Sequence, residues 1–222
     1  MALEPTQPDH LILGSRDLDE GIAYMEKLSG YRAAFGGSHP GRGSRNALLK
    51  LGTRCYLEIL APDPEQTKLT WHMEIATLDQ PLLIGWAAPA ANLEHVAAEL
   101  RKNGMACTGP TPGSRTKPNG EVLRWETVVF EDDKSGILPF YINWAEGSPH
   151  PSTDAPGACL IRETHHTGQL IQTPSPRRDF HRILLPNVPP AQLSFVIAGL
   201  FGEFELKTRA VPSEGWGQVP LP

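Results

Sequence analysis

The sequence predicts an α+β fold in which one strand–helix–strand–strand unit occurs twice. Two helical patterns, Asp17 to Leu28 and Asn92 to Lys102, each follow a short apolar run and precede a Gly/Pro-rich stretch and two strand-like runs. The copies repeat at a period of about 75 to 85 residues. Because 21 Gly and 22 Pro interrupt a chain of 222 residues, the helices should be few and short.

The first copy begins with the apolar run His10 to Leu13. Its helix is predicted to start after Asp17, a favourable N-cap residue, and to stop at Gly30. Two strands, Ser44 to Leu51 and Cys55 to Leu60, follow on either side of a tight turn at 52–54. The Gly-rich stretch 36–43 between helix and strands is either a loop or a further strand.

The second copy repeats this order. An apolar run, Leu82 to Ala87, precedes a helix that Asn92 caps and Gly104 ends. Strands are predicted at Val122 to Phe130 and Leu138 to Trp144. We therefore expect residues 1–150 to form one duplicated domain.

The chain after the duplication is harder to interpret. A linker rich in Pro, Ser and Gly at 147–157 leads into an extension, 151–222, that we expect to pack on the core. Its elements are predicted as a strand at Cys159 to Thr164, a helix at Pro190 to Leu200 and a run at Phe201 to Lys207 beyond it. Together they would make a partial β-α-β unit.

Composition excludes several classes of function. The formal net charge is −5, so the basic field that binds nucleic acid is lacking. No apolar run approaches the roughly 18 residues of a membrane span. The three cysteines (Cys55, Cys107 and Cys159) are widely spaced, as in reduced cytoplasmic proteins, and the N-terminus has no secretory pattern. The expected partner is a small molecule.

Two polar residues stand out in apolar strands. Side chains alternate along a strand, so Glu58 shares a face with Tyr56 and Leu60, and a buried carboxylate there needs a partner. His10 lies at the head of another apolar strand. An imidazole and a carboxylate on adjacent strands are half of a divalent-metal site. The alternative is a hydrogen-bonded histidine and a carboxylate in a solvated groove. Other histidines, among them His39 and His150, are expected at the surface in loops or on a helix flank.

Several spaced segments resemble one known family. In the first copy they are DHLIL at 9–13, HPGRGSRNALL at 39–49 and YLEILAPDP at 56–64. In the second copy they are LRW at 123–125 and LPFYINW at 138–144. These segments resemble the glyoxalase-like domain family of the vicinal oxygen chelate superfamily, which also contains glyoxalase I, extradiol dioxygenases and bleomycin-resistance proteins.

The resemblance implies two paired βαβββ modules, about 8–62 and 82–146, that form a curved, half-open cup of mixed sheet. It also implies a divalent ion (Zn, Ni, Mn or Fe) at the floor of the cup, with His10, Glu58 and Asn143 at ligand positions. The fourth position falls on Gly85, which has no side chain, and Asn143 is a weak donor, so the ion is not assured.

The cup suggests further roles. Glu58 would be a metal ligand, or a general base if its apolar strand raises its pKa, and Arg45 would clamp an anionic substrate. The substrate-binding candidates are Asn46, Tyr56, Trp125 and Tyr141; packing for the aromatic rings and a solvated loop charge for Arg45 are the alternatives. The expected function is lyase or isomerase chemistry on a small carbonyl or oxygenated substrate. A metal-free binding protein of the bleomycin-resistance kind is the alternative, and relatives often form homodimers.

Overall fold

A computed structural model describes residues 7–70, 73–131, 135–166, 169–173, 181–185 and 192–210. The first half contains β1 (His10–Gly14), α1 (Leu18–Ser29), β2 (Ala34–His39), β3 (Ser44–Gly52) and β4 (Cys55–Pro62). The second half contains β5 (Leu82–Pro89), α2 (Leu93–Lys102), β6 (Cys107–Thr116), β7 (Val122–Phe130) and β8 (Phe140–Trp144). The later strands are β9 (Leu160–His166), β10 (Gln169–Thr173), β11 (His181–Leu185), β12 (Leu193–Gly199) and β13 (Gly202–Lys207).

The first eight strands curl into a barrel-like cup in the order β1-β4-β3-β2-β6-β7-β8-β5. The ring closes, where we had expected a half-open sheet. Strand β1 runs parallel to β4, as β5 does to β8, and the other neighbours are antiparallel. The two halves meet along β1 and β5 and, at one register pair, Ser38 with Thr116, along β2 and β6.

Both predicted helices are confirmed with their caps. The Asp17 side chain accepts a hydrogen bond from the Glu20 backbone N–H at 2.9 Å, and Gly30 ends α1 in the left-handed conformation. Such an N-cap contributes about 1 kcal/mol. In α2 the Asn92 side chain accepts from the His95 N–H at 3.0 Å. The two helices among the described residues therefore begin where local chemistry places them.

Strand alternation divides the first module into an outer and an inner face. On β4, Leu57 and Ile59 are fully buried in an outer cluster with Ile22 and Met25 of α1. Each such side chain contributes about 1.5–3 kcal/mol. Tyr56, Glu58 and Leu60 point the other way, into the barrel. The apolar packing outside thus holds a polar residue inside.

One level of the barrel interior is filled by apolar side chains. Ile12 and Leu60, two residues beyond His10 and Glu58 on their strands, pack together in a cluster completed by Ile75, Leu78 and Ile84. All five are buried. This plug forms the floor on which the polar residues of the cup lie.

The predicted C-terminal helix is wrong. Residues from Leu193 to Gly199 form β12, the middle strand of an antiparallel sheet in the order β13-β12-β9. Leu193, Phe195 and Ile197 are buried at every second position, in the same outer cluster as Leu57. A period of two with β-branched neighbours favours a strand, so the extension is not a β-α-β unit.

The two stretches that the sequence leaves open between loop and strand both form strands, as the βαβββ modules of the resemblance imply. The Gly-rich stretch after α1 forms β2, in which a register shift between Phe35 and Gly37 accommodates the extra residue. The stretch after α2 forms β6. Since Gly and Pro are poor strand formers, these strands depend on their neighbours in the ring. Within the part of the chain described above, no helix is long and apolar enough to cross a membrane.

Candidate active site

The barrel interior contains a cavity of about 50 Å³ that opens to solvent. Five of the predicted site residues line it, namely His10, Asn46, Tyr56, Glu58 and Trp125. The lining also includes His39, Arg42, Arg115, Thr127, Val129, Phe140, Ile142 and Trp144. Both halves of the duplicated domain therefore contribute to the site.

Glu58 is the central anion of the cup. It is 5% exposed, and the Asn46 amide donates to its Oε1 at 2.6 Å. Burial raises the pKa of Glu58, but interactions with His39, His10 and Arg115 and the Asn46 hydrogen bond outweigh burial and hold the pKa below its usual range. This direction is opposite to the raised pKa that a general base at Glu58 would need, so the side chain is a permanent anion at neutral pH.

Arg115 determines the orientation of the Asn46 amide. A guanidinium has only donors, so its Nη1, 3.1 Å from Asn46 Oδ1, requires the carbonyl oxygen of the amide on that side. The Asn46 amide nitrogen must then face Glu58 Oε1 and His39 Nε2, which lies 3.4 Å away. A contact across 69 residues, from β6 to β3, therefore sets the hydrogen bonding of Glu58.

His39 is the neutral partner in this cluster. It is 4% exposed, and burial lowers its pKa to about 4 against the opposing pull of Glu58. Its Nδ1 lies 3.0 Å from Ser44 Oγ, and its Nε2 receives the second Asn46 amide hydrogen. The proton of neutral His39 is thus assigned to Nδ1. We had expected His39 to be a surface histidine in a loop, and the buried face of β2 corrects that.

Asp9 fixes His10 from behind. The Asp9 carboxylate faces His10 Nδ1 at 2.7 Å, His150 Nε2 at 3.1 Å and accepts from Trp144 Nε1 at 3.1 Å. Burial raises the pKa of Asp9, but hydrogen bonds from both histidines outweigh burial and hold it well below its ordinary value. An ionised Asp9 can only accept, so a proton lies on His10 Nδ1 and Nε2 is directed into the cup. His150, also expected at the surface, is buried here.

His10 and Glu58 face each other across the cup. The distance from His10 Nε2 to Glu58 Oε2 is 3.6 Å, beyond hydrogen-bond range. Tyr56 stacks on the His10 ring with centroids 4.6 Å apart, and Phe140 meets that ring edge-on at 5.4 Å. The imidazole is therefore held in position from three sides, with its free nitrogen beside a carboxylate oxygen.

Aromatic rings form the wall contributed by the second module. Trp125 approaches His39 edge-on with centroids 6.1 Å apart, and Trp144 lies 5.3 Å from Trp125. Val129 and Ile142 complete an apolar surface opposite the polar floor. This division suits a molecule with an oxygen-bearing end and an apolar body.

Three predicted site residues lie elsewhere. Arg45 alternates with Asn46 on β3 and is absent from the cavity lining. Asn143 and Tyr141 lie on the outer face of β8, since Phe140, Ile142 and Trp144 are the residues of that strand in the cavity. Tyr141 packs in the cluster around α2, and Asn143 borders an outer groove. Arg45 as anion clamp and Asn143 as ligand are therefore corrected.

Sequence reasoning missed His39, Arg115 and Asp9. Asp9 was visible beside His10, and His39 precedes Asn46 by seven residues within one quoted segment. The role of His39 depends on β2, a stretch for which the sequence allows either a loop or a strand. Arg115 is reached only through a contact between modules, for which no local pattern exists.

The cluster has donors that suit part of a metal site. His10 Nε2 and Glu58 Oε2 supply one nitrogen and one oxygen, and a carboxylate behind the histidine is the usual support of a metal-bound imidazole. Gly85 contributes no donor, and across the described ranges no group of three or more His, Cys, Asp or Glu residues is arranged to hold an ion. The protein therefore offers a two-residue site, to which substrate or water would add the remaining ligands.

The duplicated barrel with a polar cup defines a protein of the vicinal oxygen chelate type. The chain belongs to the glyoxalase-like domain family, whose family model matches residues 9–170. No curated protein matches the chain significantly.

Several solved structures are similar to this chain at low sequence identity. A hypothetical protein from Staphylococcus aureus is 20% identical with a TM-score of 0.51, over 66% of this chain and 62% of that one. Methylmalonyl-CoA epimerase from Mycobacterium tuberculosis is 21% identical with a TM-score of 0.45, over 65% and 93%. The Streptomyces coelicolor epimerase in complex with 2-nitronate-propionyl-CoA is 19% identical with a TM-score of 0.44, over 63% and 97%.

Proposed function

We propose that the protein is an enzyme of the glyoxalase-like type, a lyase or isomerase that acts on a small carbonyl or oxygenated substrate in the cup with the help of a divalent cation. The observation that carries the proposal is the buried pair of His10 Nε2 and Glu58 Oε2, 3.6 Å apart at the floor of an aromatic-walled cavity. A buried carboxylate is costly for stability, so its place in an open cavity favours function.

The two residues would hold the cation, and each is prepared for that role by its neighbours. Glu58 stays ionised, and Asn46 engages its Oε1 so that Oε2 faces His10. Asp9 keeps the proton of His10 on the far nitrogen. A divalent ion bound there would act as a Lewis acid toward a substrate oxygen.

The walls would position the substrate and keep water from it. Trp125, Trp144 and Val129 offer an apolar surface to its body. Such enclosure strengthens the electrostatic interactions of the polar floor with a developing negative charge.

The second candidate is a metal-free protein that binds a small amphipathic molecule in the same cup. Gly85 and the outward-facing Asn143 favour it, because they leave two of the four ligand positions implied by the family without a donor in the cup.

Metal binding separates the two candidates. We would measure the metal content of the purified full chain and the thermal shift on adding Zn²⁺, Ni²⁺, Mn²⁺ or Fe²⁺, for the wild type, His10→Ala and Glu58→Gln. Asn143→Ala is the matched control, because that side chain lies outside the cup. We expect one ion per chain in the wild type and in the control, and loss of it in both cup variants. An ion retained by Glu58→Gln, or no ion in any protein, would overturn the metal-assisted enzyme.

The reaction class can be tested without knowing the substrate. Lyase and isomerase chemistry on carbonyl compounds commonly removes a proton beside the carbonyl. A panel of small ketones and keto acids in D₂O, followed by proton NMR, would show enzyme-dependent exchange of that proton. We expect exchange with the wild type for at least one compound and none with Glu58→Gln; no exchange anywhere in the panel would favour the binding protein.

A further inference from the structure

Arg115 is a buried cation of the cup whose contact with Asn46 uses only part of its guanidinium. It comes from β6, is 3% exposed and lines the cavity beside Asn46. Its Nη1 donates to the Asn46 carbonyl, but its buried Nε has no hydrogen-bond partner among the described residues. Within those same residues no ion pair with a carboxylate is formed by Arg115.

A buried guanidinium in this state is energetically incomplete. A polar group buried without a hydrogen bond costs about 1–3 kcal/mol, and more when it is charged. The Glu58 carboxylate does not supply the partner, because the Asn46 amide lies between the two side chains and bonds to both. We propose that Arg115 binds the carboxylate group of the molecule that occupies the cup. This inference rests on the proposed function, in that the cup binds a small oxygenated molecule.

The charge of the lining favours a monocarboxylate over a phosphate. The lining contains the ionised Glu58 near Arg115. A phosphate dianion would be repelled by Glu58 more strongly than a carboxylate, which has a single charge. The fork of a guanidinium matches the two oxygens of a carboxylate. The occupant would thus have a carboxylate at one end and an apolar body against Trp125.

Arg45 provides a matched comparison within the chain. Its Nε is also buried without a hydrogen bond among the described residues, but Arg45 lies on the other face of β3 and outside the cavity lining. An orphaned nitrogen alone would predict the same behaviour for both residues. Our proposal predicts a difference, because only Arg115 faces the cup.

The test uses pairs of acids and their neutral amides, which differ in charge but little in shape. Ligand-observed NMR would give dissociation constants for benzoate and benzamide, phenylacetate and phenylacetamide, and for inorganic phosphate. The proteins are the full-length wild type, Arg115→Gln, Arg115→Lys and Arg45→Gln, all with EDTA present. Thermal unfolding confirms that each variant is folded, and Arg115→Lys, which keeps the charge, carries the test if Arg115→Gln does not fold.

We expect the wild type to bind at least one acid ten-fold or more tightly than its amide and than phosphate. Arg115→Gln should abolish that preference, Arg115→Lys should weaken it because the fork is lost, and Arg45→Gln should keep it. Equal binding of acid and amide, binding of no acid, or an unchanged preference in Arg115→Gln would overturn the proposal. Since EDTA is present and no turnover is measured, these outcomes are independent of whether Glu58 and His10 bind a metal.

Discussion

Replacing Asp9 with asparagine tests whether the cup is supported by a buried charge. In the folded protein the carboxylate contacts the side-chain nitrogens of His10, His150 and Trp144 at 2.7, 3.1 and 3.1 Å, and Asp9 is 3% exposed. Asparagine keeps the size and one acceptor oxygen. The other oxygen is replaced by an amide NH₂ group, whose hydrogens would face side-chain N–H groups that are themselves donors.

The expected cost follows from these contacts. Hydrogen bonds to a charged group are worth about 1.5–3 kcal/mol each, and asparagine retains part of one side of the network. We therefore expect Asp9→Asn to lower the free energy of unfolding by about 2–4 kcal/mol at pH 7, which overlaps the roughly 3–5 kcal/mol for breaking a buried charge pair.

The pH dependence gives a second signature. The folded-state pKa of Asp9 is depressed below 3.8, so the stability it provides is present above pH 3.8 and is lost as pH falls through the lower folded-state value. The difference in unfolding free energy between wild type and Asp9→Asn should therefore be constant from pH 7 to about pH 5 and shrink in stronger acid.

Urea unfolding monitored by tryptophan fluorescence between pH 3 and pH 7 measures both effects. Ser152→Ala, which removes a hydroxyl in contact with His150 but no charge, is the control and should show a pH-independent loss. A cost for Asp9→Asn of less than about 0.5 kcal/mol, the scale of an ordinary surface substitution, would refute the reasoning. So would a difference from wild type that grows as the pH falls.

Three further outcomes are expected. A Cβ at Gly36 would lie 2.4 Å from Asn46 Oδ1, so Gly36→Ala should cost about 1–3 kcal/mol; a melting temperature equal to that of the wild type in calorimetry contradicts this. The pKa of His39 is about 4 in the folded protein, against an ordinary value of 6.5. Stability should therefore fall as the pH drops from 6.5 toward 4, because the unfolded chain takes up the proton. His39→Gln should flatten the urea midpoint over this pH range, and an unchanged slope would contradict the buried neutral His39. The Phe195 side chain is 1% exposed, so Phe195→Ala should lower the free energy of unfolding by about 3–5 kcal/mol. Phe201 is 71% exposed, so Phe201→Ala should change stability little. Similar urea midpoints for the two variants would be inconsistent with the packing.

Elements with local signals could be predicted from the sequence. Asp17 and Gly30 at the ends of α1 are caps whose chemistry involves only neighbouring residues. Strand β4 could be predicted because the residues on both sides of Glu58 in the sequence are apolar. The pairing of His10 with Glu58 was expected for adjacent strands, and β1 and β4 are neighbours in the barrel.

Other features depend on information that a short window does not contain. The face of β8 was misassigned because each face carries aromatic side chains, so Tyr141 and Trp144 are equally plausible inside the cup. The outer face is decided by α2, which packs against Tyr141. For β12, Pro190 suggested a helix start, but the alternating burial of Leu193 and Phe195 against the barrel prevails.

The choice between Arg45 and Arg115 shows the same limit. Arg45 lies next to Asn46 in sequence, yet adjacent residues of a strand face opposite sides. Arg115 is distant in sequence and reaches Asn46 only because β2 and β6 meet. The arginine that contacts the buried Asn46 amide is therefore determined by which strands are neighbours in the barrel, and not by distance along the sequence.

One contact between neighbouring strands of the barrel is short. Between β2 and β6 the backbones pair only at Ser38 and Thr116, whereas β3 and β4 pair along most of their length. Beside this contact, Arg115 from one module grips Asn46 of the other. A ligand bound to both Arg115 and Glu58 would therefore connect the two modules across this short contact. Ligand binding in the cup would then increase the stability of the closed barrel, and loss of the ligand would decrease it.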